Sequence, residues 1–252
     1  MPSHTSKRPV MLITGGSRGI GAAIARGAAT DYDLVLNYHT SGDAAERIAV
    51  ELRTDTCRVE PMPADVADEA QVLEMFAAAE ETFGRLDVLV NNAGIAGGYG
   101  PLDVVTGPML NRLWAVNVTG AFLCAREAAA RMRTDRSGHG GSIVNVSSRA
   151  ATLGSPGEWV HYAASKGALD TMTIGLAKEL APVGVRVNGV RPGLIESDFH
   201  LHAPPGRVER LRPTVPMQRA GTVGDVAAAV LWLVSSAAGY VTGTFIDVAG
   251  GR

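Results

Sequence analysis

Tyr162 and Lys166 stand four apart in Tyr162-Ala163-Ala164-Ser165-Lys166. On a helix that spacing puts both side chains on one face. A free tyrosine ionises near pH ~10 and is no base at neutral pH. A nearby ammonium favours the phenolate and lowers that value. Such a tyrosine would give a proton to a carbonyl oxygen as hydride reaches the carbon, or take one from an alcohol in reverse. Lys7, Lys166 and Lys178 are the only lysines, so a lysine at this position carries weight. The same pair is also common on plain surface helices, and needs other residues to give it meaning. No His/Cys/Asp cluster has metal-ligand spacing, so no metal is expected.

A second chemical feature is Thr14-Gly15-Gly16-Ser17-Arg18-Gly19-Ile20-Gly21, which comes after an apolar run and leads into a helical pattern. Glycines let the backbone turn sharply and approach a pyrophosphate. The helix N-terminus adds free N–H groups and a positive dipole end. The spacing is Gly-x3-Gly-x-Gly, and the Gly-Lys-Ser/Thr of a Walker loop is absent.

These residues need a scaffold that brings the glycine turn and the Tyr162–Lys166 pair together. Strands are expected at Val10–Ile13, Leu34–Asn37, Arg58–Met62, Leu86–Asn91, Ser142–Val146, Arg186–Val190 and Thr244–Val248. Several lack alternation, as in parallel strands buried on both faces. Helical patterns lie between them at 19–29, 43–54, 68–82, 109–133, 163–180 and 223–235. Asp68 reads as an N-cap, and Pro182 and Gly184 stop the helix ending near Leu180. The strand–helix alternation predicts an α/β fold: one Rossmann-like, doubly wound parallel sheet of about seven strands flanked by helices. Residues 9–252 form a single dinucleotide-binding domain in this reading, after a loose tail over 1–8. The stretch 194–216 lacks a period, holds Pro204, Pro205, Pro213 and Pro216, and reads as a substrate lid.

Bulk properties fit. The 252 residues are 46% apolar and 19% charged, with net charge −2. No basic field calls for nucleic acid or an acidic membrane surface. No apolar run approaches a membrane span. Cys57 and Cys124 fit no metal or disulfide pattern and read as small core residues of a cytoplasmic protein.

The Thr-Gly-x3-Gly-Ile-Gly turn, taken with the motifs downstream of it, resembles the short-chain dehydrogenase/reductase family over about residues 9–251. That resemblance implies an NAD(P)-dependent oxidoreductase. It implies that Gly15, Ser17, Arg18, Gly19, Ile20 and Gly21 cradle the pyrophosphate. Asp65-Val66 resembles the adenine-contacting pair, and Asn92-Ala93-Gly94 the loop beneath the cofactor, where Asn92 also ties strands together. Ser148 matches the substrate-orienting serine; Ser147 is the alternative, but strand alternation and the family pattern favour Ser148. Lys166 would hold the nicotinamide ribose beside Tyr162. Asn117, a poor residue inside the 109–133 helical pattern, matches the asparagine that breaks the helix and holds a water relaying protons to the lysine. Pro192-Gly193-Leu194-Ile195-Glu196-Ser197 resembles the segment bracketing nicotinamide, with Ile195 and Ser197 near the carboxamide. The catalytic set is thus Asn117, Ser148, Tyr162 and Lys166.

The second strand ends Leu36-Asn37-Tyr38-His39-Thr40-Ser41, with no carboxylate to repel a 2′-phosphate. Arg18 would grip that phosphate, with Asn37 and His39 alongside. NADP(H) is therefore expected ahead of NAD(H). The Ser148–Tyr162 gap is one residue longer than the family's commonest spacing. The pocket is expected beneath 194–216, between Gly97–Tyr99 and Ser155–Trp159. His161 is read as pointing away from the site. Arg207, Arg210, Arg212 and Arg219 are read as a solvated basic face, the alternative being attraction of an anionic substrate such as a phosphopantetheine thioester. Ala-rich 109–133 and 163–180 would pair subunits in a homotetramer. Three functions remain: reductase or dehydrogenase of a small carbonyl or alcohol; 3-oxoacyl-thioester reductase; and, least favoured, an NADP(H) sensor without turnover.

Overall fold

The computed structural model describes residues 8–252, the His202 side chain apart. Of the tail expected over 1–8, residues 1–7 lie outside the described residues. Arg8 is held, its Nη2 donating to Ala29 O at 2.7 Å and Tyr32 O at 3.2 Å.

Seven strands form one sheet: β1 Val10–Ile13, β2 Asp33–Tyr38, β3 Val59–Pro63, β4 Val88–Asn91, β5 Gly141–Val146, β6 Val185–Pro192 and β7 Phe245–Val248. Their order is β3-β2-β1-β4-β5-β6-β7 and every pairing is parallel. The helices are α1 Gly19–Ala28, α2 Gly42–Leu52, α3 Glu69–Phe83, α4 Gly107–Trp114, α5 Gly120–Met132, α6 Ala150–Leu153, α7 Val160–Leu180, α8 Arg207–Leu211 and α9 Val223–Val234. Successive side chains of a strand point to opposite faces. Val10 and Leu12 accordingly join the core of one face, with Phe76, Cys124 and Leu169 from α3, α5 and α7. Met11 and Ile13 join the other, with Ile24, Ile48 and Val230 from α1, α2 and α9. Burial on both faces is why these strands read as apolar runs without alternation. Cys57 and Cys124 are buried free thiols within the two cores.

The strand order reverses between β1 and β4, so the loops after them open a crevice at the carboxyl edge of the sheet. Local signals fix the helices around it. Asp68 caps α3, accepting from Ala70 N and Gln71 N. Gly184 at φ +78° ends the 3₁₀ turn Ala181–Val183 after α7. The 109–133 pattern is broken: α4 and α5 are joined by a π-helical turn, Ala115–Thr119, with Asn117 at its centre. The 194–216 stretch is not structureless. Its prolines divide it into a 3₁₀ turn at Asp198–His202, then α8, then a 3₁₀ turn at Arg212–Thr214. Among the described residues no helix is long and apolar enough to cross a membrane.

Candidate active site

The glycine turn is built against the β4 loop. Thr14 Oγ1 accepts from Asn92 N at 2.9 Å and Ala93 N at 3.0 Å, while Asn92 Nδ2 donates to Thr14 O at 2.9 Å and Gly15 O at 3.0 Å. Asn92 therefore ties the two loops together, and a Cβ on Gly21 would lie 2.3 Å from Gly15 O. Gly19 has φ +55°, and no atom lies within 4 Å of where its Cβ would be. That open cradle at the α1 N-terminus fits a pyrophosphate.

Asn37 is spent on the protein. Its Oδ1 accepts from Gly15 N at 3.2 Å and its Nδ2 donates to Ala64 O at 3.0 Å. His39 Nε2 lies 3.8 Å from Asp65 Oδ2, which also accepts from Arg112 Nη1 at 2.8 Å. Arg112 holds the Asp65 carboxyl below its usual range, against the opposing effect of burial. Arg18 forms no ion pair among the described residues and lines the same cavity as Ser17, Ile20, Asp65 and Val66.

At the other end, Lys166 is 4% exposed and its Nζ donates to Val146 O at 2.7 Å. Burial lowers its pKa to about 8, with Asp170 opposing. Tyr162 exchanges a hydrogen bond with Ser148, whose Oγ also accepts from Ala150 N at 3.1 Å. Ser147 is turned the other way. Its hydroxyl donates to Asp170 Oδ1 at 2.5 Å and lies 3.2 Å from Lys166 O, behind the strand end. Asp170 in turn accepts from Arg191 Nε at 2.9 Å.

The electrostatics differ from the sequence expectation. Lys166 Nζ stands 5.7 Å from the Tyr162 ring, yet burial dominates and pushes the phenol up to about 12. The opposing influences are the Ser148 hydrogen bond and the Arg207 guanidinium. The sequence reading placed Arg207 on a solvated face; here it acts on the tyrosine.

Asn117 is 1% exposed. Its Nδ2 donates to Ile95 O at 2.9 Å and Ser165 Oγ at 3.0 Å, and its Oδ1 accepts from Ile95 N at 2.8 Å. One Oδ1 lone pair is left. A Cβ on Gly94 would lie 3.4 Å from that oxygen and 3.5 Å from Lys166 Nζ, so both border one spot. Asn91 Nδ2 donates to Asn145 Oδ1 at 3.0 Å, and Asn145 Nδ2 to Thr173 Oγ1 at 2.8 Å, pinning α7 against β4 and β5. Asn145, Ser165 and Thr173 were missed in the sequence because their roles are partnerships across elements.

After β6, Gly193 packs so closely that its Cβ would lie 2.8 Å from Ala249 Cα. Ile195 O accepts from His200 Nε2 at 2.8 Å, and Ser197 Oγ lies 3.5 Å from the same oxygen. Pro192, Gly193, Ile195 and Ser197 line the cavity, together with Ala93 and Gly94.

The reading of the four arginines is corrected at Arg207 alone; Arg210, Arg212 and Arg219 are exposed. Arg207 is 9% exposed, not solvated. It lies 4.7 Å over the Trp159 ring, donates through Nη2 to Glu158 Oε2 at 2.5 Å, and meets His200 Nδ1 at 3.0 Å. Arg210 Nη2 donates to Glu158 Oε1 at 2.9 Å, and Arg219 pairs with Asp225 at 3.1 Å. Phe199, which the sequence reading missed, sits 5.2 Å from Trp159 and 5.4 Å from Tyr162. Gly97–Tyr99 does not line the cavity; Tyr99 packs edge-on against Trp159 at 5.1 Å. His161 is buried near Gly97, both ring nitrogens unpartnered.

One cavity of about 740 Å³ runs from the glycine turn past Ser148, Tyr162 and Lys166 to the 194–216 segment. A protein-family profile described as enoyl-(acyl carrier protein) reductase matches residues 15–252. The chain is 48% identical over 245 residues to "Uncharacterized oxidoreductase YgfF" of Escherichia coli (strain K12), covering 96% of this chain and 99% of that protein. It is 36% identical over 245 residues to the 3-oxoacyl-[acyl-carrier-protein] reductase FabG of Staphylococcus aureus (strain Mu50 / ATCC 700699), covering 95% and 96%. A short chain dehydrogenase from Burkholderia cenocepacia J2315 in complex with NADP superposes with TM-score 0.89 at 35% identity, over 99% of this chain and 98% of that one. A 3-ketoacyl-(acyl-carrier-protein) reductase from Brucella melitensis complexed with NADH does so with TM-score 0.89 at 33% identity, over 97% and 98%. The chain belongs to the short-chain dehydrogenase/reductase family of NAD(P)-dependent oxidoreductases.

Proposed function

We propose that the protein is an NADP(H)-preferring oxidoreductase that moves a hydride between nicotinamide and a small carbonyl or alcohol, with Tyr162 as acid–base. The observation that carries this reading is the single cavity joining the glycine cradle to Ser148, Tyr162 and Lys166. The open space at Gly19 and the Gly94 notch beside Lys166 and Asn117 fit a dinucleotide.

A bound nicotinamide supplies or accepts the hydride. The chain's own groups handle the proton. A phenol held up at about 12 is protonated at neutral pH, the form that donates to a carbonyl oxygen. Ser148 orients that oxygen through its hydroxyl. The Val146 carbonyl fixes Lys166 Nζ, and the free Oδ1 lone pair of Asn117 would hold a relay water. Backbone and side chains of Pro192–Ser197 would fix which face of the ring is presented.

The preference for NADP(H) rests on charge. Among the described residues Arg18 forms no ion pair, and Asp65, 3.8 Å from His39 past the β2 tip, is engaged by Arg112. The likeness to FabG favours a second reading, a 3-oxoacyl-thioester reductase. A homotetramer assembled through α5 and α7 is also proposed, on the exposed Phe122 and Ile174 of those helices; sedimentation at a monomer mass would reject it.

The test tracks NADPH and NADH absorbance with ketones, aldehydes, sugars and acetoacetyl thioesters, for wild type and Tyr162→Phe. Turnover with NADPH that the variant loses is the expected result. Preference for NADH would overturn the reading of Arg18. Tight NADPH binding with no turnover would point to a sensor.

A further inference from the structure

Among the described residues, the cavity carries two guanidinium groups without an Asp or Glu partner, one towards each end. Arg18 belongs to the glycine turn. The other is Arg252, which lines the cavity with Glu158, Trp159 and Arg207. The remaining arginines of the cavity wall are all paired: Arg112 with Asp65 at 2.8 Å, Arg149 with Asp247 at 2.7 Å, and Arg207 with Glu158 at 2.5 Å. Arg252 is anchored through its main chain, its main-chain oxygen accepting from Arg149 Nε at 2.8 Å and its N–H donating to Ala249 O at 3.3 Å.

Its surroundings work against its charge. Burial and the guanidiniums of Arg207 and Arg149 push its pKa down, and Glu158 alone opposes them. Glu158 is already divided, giving Oε2 to Arg207 and Oε1 to Arg210 and Tyr99. Among the described residues Glu158 thus bonds two guanidiniums and makes no hydrogen bond to that of Arg252. A partly buried cation without a partner costs free energy, which an anion in the cavity would recover. Guanidinium forks match carboxylates through two parallel hydrogen bonds.

The ground between this charge and Tyr162 is aromatic. Arg207 lies over Trp159, Trp159 meets Phe199, and Phe199 meets Tyr162. Such a floor suits a carbon chain joining an anionic end to a reacting oxygen.

We propose that the substrate is a keto carboxylate, or the matching hydroxy acid, whose carboxylate is held by Arg252 beside Arg207 while its carbonyl oxygen meets Ser148 and Tyr162. This rests on the oxidoreductase reading above and names its substrate class. In the reducing direction the carbonyl carbon takes hydride from the reduced nicotinamide, which is oxidised. The oxygen takes the Tyr162 proton, and the carboxylate is unchanged.

The test pairs keto carboxylates of increasing chain length with their methyl esters, and measures kcat/KM with NADPH for wild type, Arg252→Met and Arg252→Lys. Wild type should favour some carboxylate over its ester by about tenfold or more, the worth of a charge-assisted bond. Arg252→Met should bring that ratio towards one, and Arg252→Lys should restore part of it. Esters turned over as well as carboxylates, or a ratio unmoved in Arg252→Met, would overturn the proposal. A second arm needs no turnover: saturated carboxylates of the same lengths should raise the wild-type melting temperature with dose, and their esters should not. No rise with any carboxylate would overturn the anion site. A rise without turnover of any carbonyl would keep the site and overturn the oxidoreductase reading instead.

Discussion

Lys166 Nζ donates to the main-chain oxygen of Val146 at 2.7 Å, two residues before Ser148 on the same strand end. That bond anchors the ammonium to β5 rather than to the tyrosine. It explains how a lysine with a pKa lowered to about 8 by burial keeps a fixed place beside Tyr162.

The two groups make opposite contributions to the pH dependence of stability. Lys166 titrates at about 8 in the folded chain and at 10.5 when free, so its contribution grows as pH rises from 8 towards 10.5. Tyr162 titrates at about 12 folded and 10.0 free, so its contribution is full below 10 and falls as pH rises from 10 to 12. Lys166→Met should flatten the rise of melting temperature above pH 8, and Tyr162→Phe should remove the loss above pH 10. Identical curves for the three proteins would show that neither group is buried as described.

Tyr162→Phe should cut turnover about 10²–10⁴-fold, the usual worth of a positioned proton donor, with NADPH affinity retained. Ser148→Ala removes the phenol's hydrogen-bond partner and should cost about 10²–10³-fold. In wild type, reduction should stay level through neutral pH, while alcohol oxidation should climb with pH as the phenol loses its proton. Stopped-flow single turnovers across pH would separate these slopes from product release.

Asn117→Leu strands Ile95 N, Ile95 O and a Ser165 hydroxyl bond inside the protein. The expected loss is about 2–3 kcal/mol, or several degrees in melting temperature. Asn117→Asp keeps the acceptor for Ile95 N and should lose less. A variant as stable as wild type would mean the π-helical turn does not depend on this amide.

Glu158→Gln should loosen the lid, because Arg207 and Arg210 share that carboxylate. About 2 kcal/mol is expected from the partly buried pair. Limited proteolysis should cut faster within 194–216, and KM should rise more than kcat falls. Acid should act the same way. His200 is held below its usual pKa by burial and Arg207 and accepts from Arg207 while neutral, so its stabilising effect is lost as pH falls below 6.5.

Period and punctuation determined much of this protein. Unbroken apolar runs marked the parallel strands, because burial on both faces removes alternation. The polar Asn117 within an apolar helical pattern marked the break at 115–119, because its amide competes with the helix for backbone partners. Glycine spacing marked the cradle, because a Cβ at Gly21 would meet Gly15 O. What the sequence could not contain was who partners whom. Alternation favoured Ser148 over Ser147, but only the fold shows Ser147 bonded to Asp170 and Ser148 to Tyr162. Arg207 reads as one of four solvated charges until α8 folds it over Trp159 and into the field of Tyr162. Hydrogen bonds, ion pairs and desolvation depend on distances between residues far apart in the chain. Those distances, and with them the tyrosine's pKa, exist only once the sheet has brought the loops together.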